Sequence, residues 1–256
     1  NGLVTPQNSL VGSTQGDAVG RGGVYALPNG NYVVSSIFWD RPGPNPIPEA
    51  GAVTWGNGTT GVIGEVSITN SLVGSSAADQ LGTDSNFRPE NMIKVLSNGN
   101  YLVTSSLWDA IDAAAQDAGA VTWCNGATGT VGEISALNSF IGAETASQIG
   151  FGTIGYFESK AVAVTELANG NYVFASKFAN NGAGAVTWGN GATGSHGVVS
   201  SANSMTGSGP NARVGTGAIY ALSNGNYVFT SPEFNSTSPT LISVGAATWG
   251  NGVTGS

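Results

Sequence analysis

The chain has 256 residues, of which only 9% are charged, and its 15 acidic and 7 basic side chains give a net charge of −8. So few basic residues cannot form a cationic stripe, and no run of 18 or more apolar residues is present, so we expect neither a nucleic-acid partner nor a membrane span. A single cysteine, Cys124, excludes an intramolecular disulfide and a cysteine-rich zinc site. The start at Asn1, without a signal-like segment, is what we expect of a mature or excised piece.

An eight-residue stretch, LPNGNYVV at positions 27–34, recurs as LSNGNYLV, LANGNYVF and LSNGNYVF. Each copy belongs to a longer unit of roughly 65 residues that continues with a strand ending in tryptophan and then a segment such as GEVSITNSLVG. Asn-Gly between apolar runs predicts a type I′ hairpin turn, because Asn and Gly tolerate positive φ. The Asn-Gly pairs begin at Asn29, Asn98, Asn169 and Asn224, and the strand tryptophans are Trp55, Trp123, Trp188 and Trp249.

The segments between these turns are rich in Val, Tyr, Phe and Thr, and both of their alternating faces are apolar or small, which predicts an all-β chain with strands covered on both sides. Four units of four strands favour a single domain over residues 1–256, a four-bladed β-propeller of four-stranded antiparallel blades. A β-sandwich and two separate domains are the alternatives. One Ala-rich stretch, residues 109–117, is expected to form one or two helical turns.

The two ends of the chain match halves of one unit. The last unit stops after ATWGNGVTGS, whereas the chain begins with GLVTPQNSL, which matches GEVSITNSL within the first unit. This predicts that residues 3–8 pair beside residues 246–251 and close the ring, which removes two exposed sheet edges. Alternatively the N-terminal strand opens a blade, and side-chain packing alone closes the ring.

The turns and loops form two sets, which we expect to lie on opposite faces of the domain. The nearly constant NGN and WGNGxTG turns are expected on one face, and the segments of variable sequence on the other. The variable segments begin after Trp39, Trp108, Phe178 and Phe234. Since variable loops on a repeated scaffold usually carry binding, we expect a ligand to contact this second face.

Two of these loops begin with an aromatic residue beside an acid, an arrangement that suits sugar stacking and hydrogen bonding. One pair lies at the start of the first variable loop and one at the start of the second, and the fourth unit has an aromatic residue followed by Asn at the equivalent positions. The third unit has Ala179 and Asn180 there. The same residues can instead cap the blade edge, while the four strand tryptophans are expected to pack in the core or between units. The predicted binding residues are Trp39, Asp40, Trp108, Asp109, Phe234 and Asn235.

Catalytic and metal-binding patterns are sparse, so the sequence predicts no enzyme, no metal and no cofactor. The only histidine, His196, is expected to be an exposed turn residue, and Cys124 a buried inert thiol. Asp109, Asp112 and Asp117 lack the ladder that calcium loops use. The rival enzyme hypothesis is a glycan hydrolase with two carboxylates at the central opening.

The unit ALPNGNYVV, AGAVTWGNGxTG, GEVSxxNSLVGS resembles repeats of large bacterial secreted or surface exoproteins, including filamentous-haemagglutinin-like ones. The resemblance covers nearly the whole chain and implies extracellular display. We therefore expect a non-enzymatic secreted or cell-surface module for recognition or adhesion, with an extracellular glycan or protein as its partner. The alternatives are a lectin-like propeller and a structural subunit that self-assembles into a surface protein or filament.

Overall fold

The computed structural model describes residues 2–83, 92–110, 114–151, 164–237 and 239–256. Within them every regular element is a β-strand except α1 (Ala179–Gly182), a single turn in which Asn180 and Asn181 have left-handed φ values of 54° and 55°. The prediction of an all-β chain is confirmed. In this part of the chain no helix is long and apolar enough to cross a membrane.

The strands follow the sequence repeat, with a half-unit at the N-terminus and four units after it. The half-unit holds β1 (Leu10–Val11), and the units are numbered 1 to 4 along the chain. Unit 1 holds β2 (Gly23–Ala26), β3 (Tyr32–Ser36), β4 (Ala52–Gly56), β5 (Gly64–Glu65) and β6 (Ser71–Val73). Unit 2 holds β7 (Ile93–Val95), β8 (Tyr101–Ser105), β9 (Ala120–Cys124), β10 (Gly132–Glu133) and β11 (Ser139–Ile141).

Units 3 and 4 continue the series, the last with fewer elements. Unit 3 holds β12 (Val164–Glu166), β13 (Tyr172–Ser176), β14 (Ala185–Gly189), β15 (Gly197–Val198) and β16 (Ser204–Thr206). Unit 4 holds β17 (Ile219–Ala221), β18 (Tyr227–Ser231), the small hairpin β19 (Ser236–Thr237) and β20 (Thr240–Leu241), and β21 (Ala246–Gly250).

Each of units 1 to 3 forms an antiparallel sheet of four strands. In unit 1 the order is β2-β3-β4-β6, so Val33 lies opposite Tyr25 on one side and Trp55 on the other. The Val, Tyr and Thr residues of these strands suit a pleated surface that is covered on both faces. Unit 4 has only three strands in this sheet, β17-β18-β21.

In each of units 1 to 3 a short strand pairs in parallel with the last strand of the preceding unit or half-unit. In unit 2, Gly132 lies opposite Leu72 and Glu133 opposite Val73, and the Ile134 N–H donates to the Val73 carbonyl at 3.2 Å. The same parallel pairing joins β5 to β1 and β15 to β11. Main-chain hydrogen bonds therefore connect successive units.

The hydrophobic core is divided among the junctions between units. One buried cluster joins Val33 and Leu72 of unit 1 to Tyr101 and Val103 of unit 2. Further clusters join the half-unit to unit 1, unit 2 to unit 3, and unit 3 to unit 4. Among the described residues no cluster joins unit 4 to unit 1.

The expected ring closure by the N-terminal strand is wrong. Residues 3–8 contain no strand, since residues 3–5 are irregular and residues 6–8 form a turn, and Val4 is 82% exposed. The strand partner of β21 is β18, and β1 pairs instead with β5 of the next unit. The sequence match of the N-terminal segment to an internal segment does not determine its strand partner, which is the neighbouring unit along the chain.

The NGN segments do turn hairpins, but the predicted type I′ geometry is wrong. In unit 1 the Gly30 N–H donates to the Leu27 carbonyl and the Leu27 N–H to the Asn31 carbonyl. Gly30 has a φ of 86°, whereas Asn29 is not among the residues with positive φ. The ring of Pro28 fixes φ near about −65°, which suits the first central position of an ordinary type I turn.

The Ala-rich stretch at residues 109–117 is not helical where the structure describes it. Ala110 and Ala115 form an isolated antiparallel bridge, with N–H to carbonyl distances of 2.9 and 3.1 Å in the two directions. Residues 111–113, including Asp112, lie outside the described residues. The loop of unit 1 has an equivalent antiparallel bridge, between Arg41 and Ile47.

Candidate functional site: the variable-loop face

The loops that connect β3 to β4 and their counterparts lie at the opposite end of the sheets from the NGN turns, as the sequence predicts. At the turn end, the Gly58 N–H donates to Asn31 Oδ1 at 3.1 Å, which holds two constant segments together. At the other end, the segment leaving unit 1 lies against the variable loop, since the Gln80 N–H donates to the Glu49 carbonyl at 2.9 Å. We call this second surface the variable-loop face.

The tryptophans predicted to present sugar-stacking rings are inside the protein. Trp39 is 0% exposed and packs against Ala52 and Val73, while Trp108 is 4% exposed and its Nε1 donates to Ser75 Oγ at 3.0 Å. Neither ring offers a face to solvent. The alternative interpretation, packing at the edge of the sheet, describes their position.

The polar residues that follow these tryptophans close the variable loops. Asp40 Oδ1 accepts the Glu49 N–H at 2.7 Å, and Asp109 Oδ1 accepts the Asp117 N–H at 2.8 Å. In unit 4 the Asn235 Oδ1 accepts the N–H of Ser243 at 2.8 Å. One side-chain oxygen therefore joins the two ends of each of these loops, whatever residues lie between.

A second carboxylate joins neighbouring units beneath this face. Asp79 Oδ2 accepts the N–H groups of Ser75 and Ser76 at 2.7 and 2.8 Å, and its Oδ1 accepts the Asp109 N–H of unit 2 at 3.0 Å. Asp17 of the half-unit makes the equivalent bond to the Asp40 N–H at 3.0 Å. Burial raises the pKa of Asp79 to about 7, although the three N–H donors lower that pKa in part.

An exposed aromatic ring lies between units 3 and 4 on the variable-loop face. Phe178 is 43% exposed, and Lys177 Nζ lies 4.8 Å from the centroid of its ring and 5.6 Å from that of Phe151. Arg213 and Glu233 form an ion pair at 2.5 Å across the same cleft, whose volume is about 270 Å³. The cleft combines a ring face, cationic donors and a carboxylate acceptor.

Phe178 lies one position earlier in its unit than Trp39 and Trp108 do in theirs. Trp39, Trp108 and Ala179 occupy the inward position after the strand, and the residue before each is more exposed. Phe178 lies at the end of a turn, immediately before α1, with backbone angles φ −97° and ψ −9°. Its ring is exposed, whereas Trp39 and Trp108, one position later in their units, are buried.

The other predicted binding residues, Phe234 and Asn235, make contacts within the fold. Phe234 is half-buried and packs against the cluster between units 3 and 4, while Asn235 Nδ2 donates to the Asn211 carbonyl at 2.6 Å. As predicted, Cys124 is a buried thiol, with a pKa raised by burial to about 12, and His196 is an exposed turn residue. Among the described residues no three His, Cys, Asp or Glu side chains lie close enough to hold a metal ion.

Comparison with known proteins agrees with the repeat seen in the structure. A search of curated proteins finds no match. A family model for a repeat matches five stretches that together cover most of the chain: residues 1–21, 26–83, 95–151, 166–216 and 221–256. The first stretch contains the half-unit, and the next three correspond to units 1 to 3. The last stretch covers most of unit 4, whose main sheet has three strands. The chain belongs to the family described as a repeat of unknown function, DUF5650.

Proposed function

We propose that the chain is a non-enzymatic recognition or adhesion module of a secreted or cell-surface protein, and that it binds an extracellular protein or glycan through the variable-loop face. One observation carries the proposal. Loops of different sequence are closed by the same kind of hydrogen bond, in which a backbone N–H donates to the side-chain oxygen of Asp40, Asp109 or Asn235, so the loop chemistry can change while the scaffold is kept.

The loops differ in the groups that they offer to a partner. Arg41 of the first loop pairs with Glu133 of unit 2 at 2.6 Å. The loop of unit 4 forms the hairpin β19–β20, with Leu241 48% and Ile242 81% exposed. Such a surface mixes hydrogen-bonding groups with isolated apolar side chains, which suits a polar interface with a few apolar anchors.

The resemblance to repeats of large bacterial exoproteins supports an extracellular place for the module. If the partner is a glycan, the aromatic ring that stacks on the sugar must differ from the predicted ones, because Trp39 and Trp108 are buried. We place it at Phe178, the exposed ring between units 3 and 4, where Arg213 and Glu233 provide a donor and an acceptor beside the ring.

Binding of the fluorescently labelled chain to a glycan array and to immobilised extracellular-matrix proteins tests the proposal. We expect Phe178→Ala to reduce binding to whichever probe retains the wild type, with an unchanged circular dichroism spectrum. Val253→Ala is the matched control, because Val253 is 68% exposed on the opposite, turn-bearing face. If Val253→Ala weakened binding and Phe178→Ala did not, binding would occur on the turn-bearing face, contrary to the proposal.

We also propose that the units form an open series and not the closed four-bladed propeller. The support is that every hydrophobic cluster of the described residues joins consecutive units. Spin labels at Val4 and Val253, in a Cys124→Ser background, measure the separation of the two ends in dilute solution. A single short, narrow distance distribution would restore the ring.

A further inference from the structure

The cleft between units 3 and 4 on the variable-loop face has a charge that the rest of the chain does not share. It is lined by Lys177 and Arg213, two of the seven basic residues of the chain, and by the single acid Glu233. These side chains give the cleft one excess positive charge, whereas the net charge of the chain is −8. The chain as a whole repels anions, and this cleft is a local exception.

The repeat does not require a cation at either position. The Arg213 N–H donates to the Gly182 carbonyl of the unit 3 loop, as the N–H groups of Gln80 and Gln148 donate to the loops of units 1 and 2. The position is therefore equivalent in the three units. The residues equivalent to Lys177 are Ile37, Ser106 and Pro232, and those equivalent to Arg213 are Ala18, Gln80 and Gln148. Both cations are specific to this one cleft.

The variable loop of unit 3 is short and leaves the cleft open. The hydrogen bond that closes the loop joins residues nine positions apart in unit 1 and eight positions apart in units 2 and 4. In unit 3 the turn α1 passes from Asn180 to Gly182 in two positions. Phe178 is 43% exposed, whereas Phe38 and Leu107, at the same position in units 1 and 2, are half-buried.

Backbone hydrogen bonds hold the two walls of the cleft together. The Arg213 N–H donates to the Gly182 carbonyl and the Asn211 N–H to the Asn181 carbonyl, both at 3.2 Å. Asn181 is fixed in turn by Glu144, whose two oxygens accept its N–H at 2.7 Å and its Nδ2 at 3.1 Å. Glu144 does not line the cleft. A cleft held in this way loses little freedom when a ligand binds.

Both cations keep hydrogen-bond donors for a ligand. Arg213 Nη1 donates to Glu233 Oε2 at 2.5 Å, and the other N–H groups of the guanidinium remain. In the part of the chain that the structure describes, no oxygen accepts a hydrogen bond from Lys177 Nζ, which lies 4.8 Å from the centroid of the Phe178 ring. A carboxylate between the two cations would form charge-assisted hydrogen bonds, which are stronger than neutral ones.

The remaining groups of the cleft fit a sugar that carries one negative charge. The exposed ring of Phe178 offers an apolar surface to a sugar ring, and Glu233 offers an acceptor to a hydroxyl group. One carboxylate balances the excess positive charge of the cleft. A phosphate monoester carries about −1.5 to −2 charges, so it would leave negative charge unbalanced beside Glu233.

We propose that this cleft binds a uronic acid residue of an acidic polysaccharide, with the carboxylate bonded by Arg213 and Lys177 and the sugar ring against Phe178. The inference rests on the binding through the variable-loop face proposed above, and it names the class of glycan. The volume of about 270 Å³ is smaller than the roughly 300–1,000 Å³ of sites for drug-sized ligands. The cleft therefore holds one sugar ring, and the rest of the polysaccharide lies outside it.

Oligosaccharides of polygalacturonate, alginate and hyaluronan test the inference, each beside its carboxyl-reduced form, which keeps the sugar ring and loses the charge. In calorimetric titrations we expect the wild type to bind at least one acidic form about tenfold or more tightly than its reduced form. Lys177→Ser and Arg213→Gln introduce residues that other units have at these positions. Each should weaken binding of the acidic form roughly fivefold or more, and binding of the reduced form much less.

Arg21→Gln is the matched control, because it removes the same charge from an exposed arginine that does not line the cleft. It should bind the acidic oligosaccharide as the wild type does. The ion pair of Arg213 is exposed and contributes little to stability, so thermal unfolding should show every variant folded. Equal losses of binding in Arg21→Gln and Arg213→Gln would mean that net charge and not the cleft controls binding, which overturns the inference.

The outcomes separate this inference from the proposed function. If Phe178→Ala weakened binding of acidic and reduced forms alike while Lys177→Ser and Arg213→Gln had no effect, the site would take a neutral sugar, and only the inference would fail. Binding of poly-L-glutamate as tight as that of the oligosaccharides would assign the cleft to acidic peptides and overturn the uronic acid. A wild type that binds none of the acidic oligosaccharides also overturns the inference, whereas the proposed function fails only if no glycan of the array and no matrix protein is bound.

Discussion

The Trp55 indole N–H donates a hydrogen bond at 2.9 Å to the carbonyl oxygen of Gly126, 71 residues further along the chain. This contact and its two repeats connect the strand of one unit to a turn of the next. A tryptophan at this position therefore stabilises a turn of the next unit as well as the strand of its own unit.

The bond can be tested by removing the N–H while keeping a ring. We expect Trp123→Phe to lower the free energy of unfolding by about 0.5–1.5 kcal/mol, the net value of one hydrogen bond, because the Gly191 carbonyl loses a donor. Trp249→Phe is the control, since among the described residues its N–H has no acceptor. Urea unfolding of dilute, monomeric protein measures both; equal losses would mean that ring packing alone matters.

A pair of glycines tests the packing between units. Gly61 and Gly129 have φ values of 76° and 77°, so alanine costs the same backbone strain at both, about 1–2 kcal/mol. Only Gly129→Ala also brings a Cβ to within 2.7 Å of Trp55, so we expect it to cost roughly 1–3 kcal/mol more. Thermal unfolding at low concentration compares them, and equal losses would show that the Trp55 contact is not tight.

Closure of the first variable loop depends on the carboxylate of Asp40. We expect Asp40→Ala to speed hydrogen exchange at the Glu49 amide roughly tenfold or more, because a lost bond of about 1.4 kcal/mol raises the open population by that factor. Asp40→Asn keeps an acceptor oxygen and should exchange nearly as the wild type. Exchange monitored by NMR measures both, and unchanged exchange in Asp40→Ala would assign loop closure to other contacts.

The raised pKa of Asp79 predicts a pH dependence of stability. The folded carboxyl holds its proton up to a pH of about 7, while the unfolded one releases it near its ordinary pKa of 3.8. The free energy of unfolding should therefore fall as the pH rises from about 4 to about 7, by at most about 4 kcal/mol, since each tenfold change in proton affinity is worth about 1.4 kcal/mol.

The matched variant for that dependence is Asp79→Ser, because unit 2 has Ser147 at the same position. The variant should lose the part of the pH dependence that belongs to Asp79, whatever its stability at one pH. Denaturant unfolding at several pH values between 4 and 7 gives the two slopes. Identical slopes would mean that Asp79 is ionised throughout this range in the folded protein.

The all-β fold and its hairpins could be predicted from the sequence, because Asn-Gly turns and β-branched strands are local signals. The burial of Cys124 and the packing of three strand tryptophans between units also agree with the predictions from the sequence. The arrangement of the units could not be predicted in the same way. The N-terminal segment matches a segment of each of units 1 to 3, but that match does not determine which strand it lies beside; β1 pairs with β5.

The candidate site was harder to predict, for a geometric reason. Whether an aromatic residue after a strand faces inward or outward depends on one residue of register, so Trp39 is buried where Phe178 is exposed. Asp40 and Asp109, which the sequence predicts as binding residues, lie at the base of their loops, and one oxygen of each accepts a backbone N–H from its own loop. Only coordinates show that such an acceptor is already satisfied.

Each hydrophobic cluster of the described residues contains side chains of two neighbouring units, so the units depend on one another for their cores. Folding is then a nearest-neighbour problem in which cooperativity runs along the chain and the ends fray first. Every repeat added to such an array contributes one more shared interface at nearly constant entropic cost. Stability should therefore grow with repeat number, and a cut in the middle should destabilise more than the loss of a terminal unit.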